Sequence, residues 1–568
     1  MTPADRPLIV QSDRTLLLEV RHSGYEAARA DLSRFAELVK SPEHVHTYRL
    51  TSLSLWNAAA AGLAATDVLA ALDRHSRYPV PPNIVTEVRE QIGRYGRVRL
   101  EKDGAAYVVE CADLPLAEEI WNHKELRPLF TGRPAPTRLT LPAGSRGLVK
   151  QALTRAGHPV EDRAGYVEGT PLDIALRSPA ASGEVYGLRD YQIDAAEIFH
   201  AGGSSTGGSG VIVLPCGAGK TLVGMAVMDR IKTHTLILAS GIVSARQWRR
   251  EILDKTTLKP EEIGEYSGDF KDLRPVTLAT YSILTHRKNK ESPFTHFSIF
   301  DQVNWGLVIY DEVHLLPAEV FRATAQIQAR RRLGLTATLI REDALEADVF
   351  SLIGPKKYDA PWKDLERQGW IAPASCVEIR VGMCENERMR YATASDREKF
   401  RFASENPAKM DSVYDLLQRH KNDRVLIIGQ YLSQVEAIAR GYKLPLITGK
   451  TPFREREKMF DAFRRGEIPH LVLSKVGNFS IDLPDANVLI QVSGQFGSRQ
   501  EEAQRLGRVL RPKKDGGSAR FYSIVSRSTC EEDFAANRQL FLTEQGYAYE
   551  IVVDGVLHAP DGARLSMC

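Results

Sequence analysis

The chain has 568 residues, which at roughly 100–200 residues per domain indicates about three to five domains. Hydrophobic residues make up 43% of it and charged residues 26%, so a disordered, collagen-like or membrane-spanning chain is not expected. The net charge of +3 is too small to indicate a polyanionic partner by itself. The sequence has no apolar run of about 18 residues or more. Asp5, Asp13 and Arg14 interrupt the stretch where a signal peptide would need its apolar core.

The cysteines argue against a disulfide framework or a zinc site, because no two of them form a C-x-x-C pair. They are Cys111, Cys216, Cys376, Cys384, Cys530 and Cys568. A reducing compartment such as the cytoplasm fits this pattern.

The first 110 residues are predicted to be a mostly helical module. Residues 25–40 and 55–71 have the apolar spacing or the Ala- and Leu-rich composition of helices. Residues 96–110 contain two β-rich runs around Asp103-Gly104, which predicts a hairpin. Residues 111–178 are assigned to a small mixed α/β module and a linker.

From about residue 186, short β-branched runs alternate with helical stretches. Strands are predicted at 211–214, 235–239, 277–279 and 307–310, and again at 424–428, 471–473 and 487–492. This alternation predicts parallel sheets with helices on both faces. The expected architecture is two tandem α/β domains, over 179–382 and 411–550, separated by a charged helical stretch at 383–410 and followed by a tail at 551–568. The Gly- and Ser-rich residues 201–210 are expected to form a flexible surface loop.

The segment VIVLPCGAGKT runs from an apolar strand through a Gly-rich turn into a helix. Backbone N–H groups of such a turn bind phosphates, and the glycines let the backbone approach without a Cβ in the way. Lys220 would bind the β- and γ-phosphates and the Thr221 hydroxyl would ligate Mg²⁺. Leu214 stands where the common pattern has glycine. The expected ATP-binding loop comprises Pro215, Cys216, Gly217, Ala218, Gly219, Lys220 and Thr221.

The segment LVIYDEVH at 307–314 places two carboxylates at the end of an apolar strand. We expect Asp311 to hold Mg²⁺ and Glu312 to polarise the attacking water, since phosphoryl transfer depends on positioning and charge neutralisation. Upstream, LRDYQ supplies Arg189 and Gln192 for the nucleotide. Gln192 could hydrogen-bond to adenine and so select ATP. The alternative is that this segment is a helix start capped by Asp190, and the two interpretations are compatible.

In the second α/β domain, QRLGRVLR places Gln504, Arg508 and Arg511 on one face of a helix. Arginines on such a face suit a finger that reaches the γ-phosphate, and a basic solvated helix face is the alternative. The polar loop at 476–484 could contact phosphate and the nucleic acid backbone.

Several residues are candidates for contact with a nucleic acid strand. They are Gln247, Trp248 and Arg249 after the strand at 235–239, and Thr280 with Tyr281. Thr336 and Thr338, in the segment TAT, could link Glu312 to bound nucleic acid or simply cap the next helix. The basic run 330–332 is equally compatible with a solvated surface.

The ordered motifs LRDYQ, GAGKT, TY, DEVH, TAT and QRLGRVLR, spanning residues 188–511, resemble those of superfamily 2 helicases. Within that superfamily they resemble the XPB family. The shared features are the loop LPCGAGKT, the triplet Arg341-Glu342-Asp343 soon after TAT, and the helical stretch at 383–410 in the place of the family's thumb-like insertion.

The resemblance implies an ATP- and Mg²⁺-dependent 3′→5′ DNA helicase that tracks one strand and serves DNA repair, namely nucleotide excision repair. It also implies a damage-recognition-like domain at 111–178. Arg341, Glu342 and Asp343 would couple ATP turnover to strand separation, although such a triplet is also an ordinary charged helix start. The expected partners are DNA and a nuclease, with no membrane, in the cytoplasm.

The expected cycle closes a cleft between the two α/β domains on ATP and reopens it after hydrolysis, so that each domain grips the phosphate backbone in turn. Three other readings stay open: a duplex DNA translocase without net unwinding, an RNA helicase, and a DNA-binding scaffold that uses ATP as a switch. A fourth, a P-loop metabolic kinase, is disfavoured because it would lack the second α/β domain and its arginines.

Overall fold

The structure of the chain is a computed structural model. It describes residues 5–40, 44–104, 106–142, 145–204, 207–287, 295–296, 298–316, 330–338, 346–474, 486–494, 498–507, 509–510 and 517–553. The chain divides into two compact units, Met1–Leu214 with Gly219–Ala360, and Pro361–Cys568 with Pro215–Ala218. Within the described ranges no single helix is long and apolar enough to cross a bilayer; one pair bent by 116°, Ser52–Ala60 with Ala65–His75, passes by length and composition when taken together.

The N-terminal module contains an antiparallel sheet as well as helices, so the prediction of a mostly helical module is wrong in this respect. The sheet has the strand order β1-β2-β4-β3. The elements are β1 Leu8–Val10, β2 Thr15–Glu19, β3 Glu37–Lys40, β4 Val45–Arg49, α1 Tyr25–Leu32, α2 Ser52–Ala60, α3 Ala65–His75 and α4 Pro82–Arg94. The helix predicted over 25–40 ends at Leu32, because Leu38 pairs with Tyr48 of β4. The helix predicted over 55–71 is two helices, separated by a turn with Gly62 at φ +91°.

The predicted hairpin is confirmed as β5 Val98–Asp103 and β6 Ala106–Cys111. It belongs to the second module, whose five strands have the order β7-β8-β6-β5-β9. The other elements are α5 Leu114–Asn122, β7 Gly132–Ala135, β8 Arg138–Leu141, α6 Arg146–Arg155 and β9 Val160–Asp162. The module boundary predicted at residue 110 is therefore wrong. The residues of the turn were enough to predict the hairpin. They could not show which module it belongs to, because its partner strands, β8 and β9, come later in the chain.

The second module is held to the first α/β domain by polar contacts and by the segment that follows it. Arg155 Nη2 lies 3.2 Å from Asp348 Oδ2. The end of the range 111–178, where a linker was predicted, is fixed by backbone hydrogen bonds: the Leu172 N–H donates to Lys232 O at 2.9 Å. These contacts hold the second module to the first α/β domain, and both accessory modules lie in the same compact unit as that domain.

The first α/β domain has a seven-stranded parallel sheet with the order β12-β13-β11-β14-β15-β10-β16. The strands are β10 Ser209–Val213, β11 Thr235–Ala239, β12 Ile263–Tyr266, β13 Val276–Thr280, β14 Leu307–Asp311, β15 Arg331–Thr336 and β16 Lys356–Asp359. The helices are α7 Asp190–His200, α8 Lys220–Ile231, α9 Ile242–Lys255, α10 Tyr281–Leu284, α11 Ile299–Gln302 and α12 Glu346–Leu352. Every residue of β10, β11, β13 and β14 is buried, as expected for strands with helices on both faces. All four strands predicted for this domain are confirmed.

Two predictions in this domain are corrected by burial. Residues 207–210, part of the expected flexible loop, are buried, and Ser209 and Gly210 begin β10. The basic run 330–332 is not a solvated surface, because Arg332 is fully buried and donates to Leu352 O at 2.8 Å. Residues 207–210 and Arg332 therefore belong to the core of the domain, whereas Arg330 and Arg331 are half-buried.

The second α/β domain has its own seven-stranded parallel sheet with the order β19-β20-β18-β21-β22-β17-β23. The strands are β17 Ala374–Val381, β18 Val425–Ile428, β19 Leu446–Ile447, β20 His470–Leu473, β21 Val488–Gln491, β22 Ala519–Ser526 and β23 Tyr549–Val553. The helices are α13 Trp362–Arg367, α14 Glu385–Thr393, α15 Asp396–Ser404, α16 Lys409–Arg419, α17 Leu432–Tyr442, α18 Phe453–Arg464, α19 Arg499–Gly507 and α20 Cys530–Glu544. The three strands predicted for this domain are confirmed.

The domain boundaries predicted at 382 and 550 are wrong. Strand β17 lies between β22 and β23, so it belongs to the second domain, and β23 extends to Val553 in the expected tail. Local alternation could not assign β17, because both of its partners come after residue 518. The stretch 383–410 is helical as predicted, and Phe400 of α15 packs edge-on against Phe534 of α20 at 5.0 Å between ring centroids.

A buried ion pair anchors α16 to the second sheet. Lys409 Nζ lies 2.8 Å from both carboxylate oxygens of Glu531 and donates to Val492 O at 2.9 Å. The Ser526 N–H donates to Glu531 Oε2 at 2.8 Å. Both charged side chains are almost completely buried, so neither can be left alone without a large desolvation cost.

We predict that Glu531→Gln lowers the local stability of this domain by about 3–5 kcal/mol, because the Lys409 charge loses its buried partner. The measurement is native-state hydrogen exchange of the β22 amides. Asp396→Asn is the matched control, because its pair with Lys399 is exposed and should contribute little. Equal exchange in the two variants would contradict the prediction.

Candidate functional site

The Gly-rich turn between β10 and α8 has the conformation that its glycines allow. Gly217 and Gly219 lie in the left-handed region, with φ values of +84° and +78°. A Cβ on Gly219 would lie 2.5 Å from Gln192 Nε2, which leaves no room for a side chain. Gly219 is the N-cap of α8. In any α-helix the first backbone N–H groups are the ones that point outward along the helix axis. This geometry suits a bound anion at the start of α8.

The Lys220 ammonium faces the acidic end of β14. Lys220 Nζ lies 3.3 Å from Glu312 Oε1, and Asp311, the preceding residue, is buried. Strand β14 pairs with β11 on one side and β15 on the other, so the acidic residues stand at the carboxyl edge of the parallel sheet. Thr221 follows in the first turn of α8 and is half-buried. The structure thus brings together the basic and acidic residues that the sequence assigns to one site.

The two adjacent carboxylates have opposite pKa shifts. Burial, and then the neighbouring charge of Glu312, raise the pKa of Asp311. Burial would also raise the pKa of Glu312, but the charges of Lys220 and then His314 outweigh it and lower that pKa. The site therefore favours an ionised Glu312 beside a carboxylate whose charge is poorly compensated. Oxygen donors on Thr221 and Asp311 fit a hard divalent cation such as Mg²⁺.

Glu312 has a strained backbone and is linked to the TAT segment through His314. Its φ of +50° is unusual for a residue with a side chain and is typical of functional sites. His314 Nδ1 lies 3.4 Å from Glu312 Oε2 and 2.6 Å from Thr336 Oγ1. Because the Thr336 hydroxyl donates to Thr338 O, His314 Nδ1 must carry the hydrogen of the His314–Thr336 bond. His314 therefore lies between Glu312 and Thr336 and contacts both. The sequence predicted a link between Glu312 and the TAT segment but did not predict that His314 provides it.

Asp311 is held by Ser244 and by two residues that were predicted to touch a nucleic acid strand, Trp248 and Tyr281. Ser244 Oγ and Trp248 Nε1 donate to Asp311 Oδ2 at 2.8 and 3.1 Å, and the Tyr281 hydroxyl donates to Asp311 O at 2.8 Å. Trp248, Thr280 and Tyr281 are only 1%, 5% and 4% exposed, so the prediction that they form a strand-binding surface is corrected. The correction has a physical reason: the large rings of Trp248 and Tyr281 are buried in the core of the domain, and Thr280 is buried at the end of β13. Ser244 was missed because a lone serine in a helix carries no sequence signal.

The other residues predicted to bind a strand or the nucleotide are placed as follows. Gln247 and Arg249 lie half-buried on α9. Gln192 Oε1 accepts the Arg189 backbone N–H at 3.0 Å, so Gln192, and not Asp190, caps the start of α7. The amide nitrogen of Gln192 lies beside Gly219 of the Gly-rich turn. Gln192 can therefore cap α7 through its oxygen and still lie next to the predicted nucleotide site.

In the second domain, Gln504 is buried on α19. Its neighbour Arg505, which sequence reasoning did not single out, is fully buried and donates to Glu501 Oε1 at 2.9 Å and to Ser493 O at 3.2 Å. These bonds fix the helix that carries Gln504. The predicted residues that lie outside the described ones are Arg341, Glu342, Asp343, Arg508, Arg511 and the loop 476–484.

Comparison with known proteins matches nearly the whole chain. The model of the ERCC3/RAD25/XPB C-terminal helicase matches residues 365–562. The model of the res subunit of type III restriction enzymes matches residues 186–341, and that of a helicase conserved C-terminal domain matches residues 8–135.

Similar full-length proteins come from bacteria and from yeast. The chain is 54% identical over 563 residues to a DNA 3′-5′ helicase XPB from Kineococcus radiotolerans, covering 98% of this chain and 99% of that protein. It is 54% identical over 548 residues to the DNA 3′-5′ helicase XPB of Mycobacterium tuberculosis, covering 96% and 98%. It is 32% identical to the general transcription and DNA repair factor IIH helicase/translocase subunit XPB/SSL2 of Saccharomyces cerevisiae, covering 99% and 74%.

Tandem RecA-like sheets, a Gly-rich turn whose lysine faces an acidic strand end, and these matches define a superfamily 2 helicase, a class that hydrolyses ATP. Within that class, the chain belongs to the XPB family.

We predict that Gly219→Ala weakens ATP binding by about tenfold or more. An alanine strains the left-handed backbone by roughly 1–2 kcal/mol, and its Cβ would collide with the Gln192 amide. Equilibrium titration with a fluorescent ATP analogue measures the effect. Gly62→Ala is the matched control, because Gly62 also has positive φ but no neighbour within 4 Å of the added Cβ. An unchanged affinity in Gly219→Ala would show that the turn does not bind phosphates.

Proposed function

We propose that the chain is an ATP-dependent 3′→5′ DNA helicase that tracks one strand, unwinds duplexes and serves DNA repair. The observation that carries the proposal is the contact between Lys220 and Glu312 at the carboxyl edge of the first parallel sheet. It occurs in a chain that is 54% identical to bacterial proteins named as DNA 3′-5′ helicases.

In this proposal the triphosphate lies at the start of α8, where backbone N–H groups and Lys220 offset its charge. Thr221 and Asp311 would hold Mg²⁺, which neutralises negative charge on the transferred phosphoryl group. The lowered pKa of Glu312 keeps its carboxylate ionised, so that it can accept a proton from the attacking water. The pair therefore divides the work: Asp311 binds the cation and Glu312 orients and deprotonates the nucleophile.

The hydrogen bond between His314 and Thr336 connects the surroundings of Glu312 to the rest of the domain, so that hydrolysis can affect it. His314 Nδ1, which donates to Thr336, lies 3.4 Å from Glu312 Oε2, so a change of charge or position at Glu312 would act electrostatically on the His314–Thr336 bond, in the segment that the sequence assigns to coupling. Arg341, Glu342 and Asp343 would then act on the duplex, and Gln504, Arg508 and Arg511 would serve the nucleotide; these roles rest on the family resemblance. Because the protein would contact the phosphates of the DNA strand, we expect its affinity for DNA to fall with increasing salt and to depend little on base sequence.

The repair role would require a nuclease to cut the strand that is exposed, so the proposal includes such a partner. A cytoplasmic location, with access to DNA and reduced thiols, is part of the same proposal.

We predict that Glu312→Gln lowers ATP turnover at saturating single-stranded DNA by about 10²–10⁴-fold, because the neutral amide cannot accept a proton. Steady-state phosphate release measures this loss. Glu265→Gln is the matched control, since it makes the same change on β12 of the same sheet. Retained turnover in Glu312→Gln would remove Glu312 from the role of general base.

We predict that the protein unwinds a duplex with a 3′ single-stranded tail and leaves a 5′-tailed duplex intact. The release of a labelled strand with ATP and Mg²⁺ measures polarity. ATP turnover stimulated by duplex DNA without strand release would instead favour a duplex translocase, and preference for RNA tails would favour an RNA helicase. Turnover that ignores all nucleic acids would favour a scaffold switched by ATP.

A further inference from the structure

The metal-binding residue expected at the end of β14 is held by three hydrogen bonds from outside its own strand. Ser244 and Trp248 of α9 both donate to Asp311 Oδ2, and Tyr281 of α10 donates to Asp311 O. All three donors are buried, with exposed fractions of 9% or less. Hydrogen bonds between groups that are shielded from water hold a side chain in one orientation better than exposed ones.

The bonds to the carboxylate are made on one oxygen. Both side-chain donors reach Oδ2, and among the described residues no donor contacts Oδ1 of Asp311. This arrangement fixes the rotamer of Asp311 and leaves the other oxygen for a cation or for water bound to a cation. Groups that hydrogen-bond to a ligating side chain commonly set its orientation and its affinity for the metal.

The donors come from segments that follow two neighbouring strands, and one of these segments also contacts α8. Helix α9 follows β11 and helix α10 follows β13, and β11 pairs with both β13 and β14. The Trp248 ring lies directly against α8, since a Cβ on Gly224 would be 2.5 Å from its Cη2 atom. Trp248 therefore touches the helix that begins at Lys220 and holds Asp311 as well.

We propose that Ser244, Trp248 and Tyr281 are positioning residues for the metal site, and that they tie Asp311 to the segments after β11 and β13. The proposal rests on the proposed function, which gives Asp311 its metal. Helix α9 also carries Gln247 and Arg249, the half-buried residues that remain candidates for contact with a nucleic acid strand. A movement of α9 or α10 changes the position of Asp311 through bonds of 2.8–3.1 Å. Strand binding then acts on the metal site without a direct contact between strand and metal.

The test is equilibrium binding of a fluorescent ATP analogue to the full chain, once with Mg²⁺ and once with EDTA. Ser244→Ala and Tyr281→Phe each delete one hydroxyl and little else. Each should weaken binding about tenfold with Mg²⁺ and leave binding with EDTA unchanged, as expected for partners of a metal ligand. Tyr266→Phe is the matched control, because its hydroxyl bonds to His296 and not to Asp311. Equal weakening with Mg²⁺ and EDTA, or no weakening beyond the control, would overturn the proposal.

Stimulation of ATP turnover by single-stranded DNA gives a second readout. Tyr281→Phe should lower the ratio of turnover with and without DNA, while its affinity for DNA stays that of wild type. A ratio equal to that of Tyr266→Phe would overturn the link to the strand-side segments. If wild type itself shows no stimulation, the proposed function fails, and the Mg²⁺-dependent binding still decides whether Asp311 is positioned as inferred.

Discussion

The site depends on one electrostatic arrangement: a lysine at the start of α8 facing two adjacent carboxylates at the end of β14. Lys220 Nζ lies 3.3 Å from Glu312 Oε1, and this ammonium lowers the pKa of one carboxylate while burial raises that of the other. Opposite shifts on neighbouring acids are the pattern expected if Glu312 is the base and Asp311 the metal ligand, as proposed. The parallel sheet is what makes the arrangement possible, because it delivers β10 and β14 to the same edge.

The surroundings of this pair are built to hold it in place. Glu312 keeps a left-handed backbone, and a strained residue of this kind persists only where its neighbours fix it. On one side Ser244, Trp248 and Tyr281 bond to Asp311; on the other, His314 connects Glu312 to Thr336. The residues that make these contacts lie on α9, α10 and β15 and in the turn that follows β14, so the acidic strand end is joined to much of its domain.

Much of the fold and of the site could be predicted from the sequence, because both depend on local patterns. Buried parallel strands read as apolar runs, and GAGKT and DEVH follow directly on two of them. The errors arose where distant pairing decides the structure. Strand β17 was assigned to the wrong domain because its partner strands lie more than 130 residues later, and β3 was read as helix because only its pairing with β4 makes it a strand. Trp248 and Tyr281 were placed on the strand-binding surface because a motif gives position in the chain, whereas burial decides which way a ring points.

The central claim is that nucleic acid binding drives ATP hydrolysis at the Lys220–Glu312 site. The most direct measurement is the steady-state rate of phosphate release as single-stranded DNA is added, at two salt concentrations. A saturable rise in rate, reached at higher DNA concentration in higher salt, is predicted, because the strand is held through its phosphates. A rate that does not change with DNA at either salt concentration would contradict the claim.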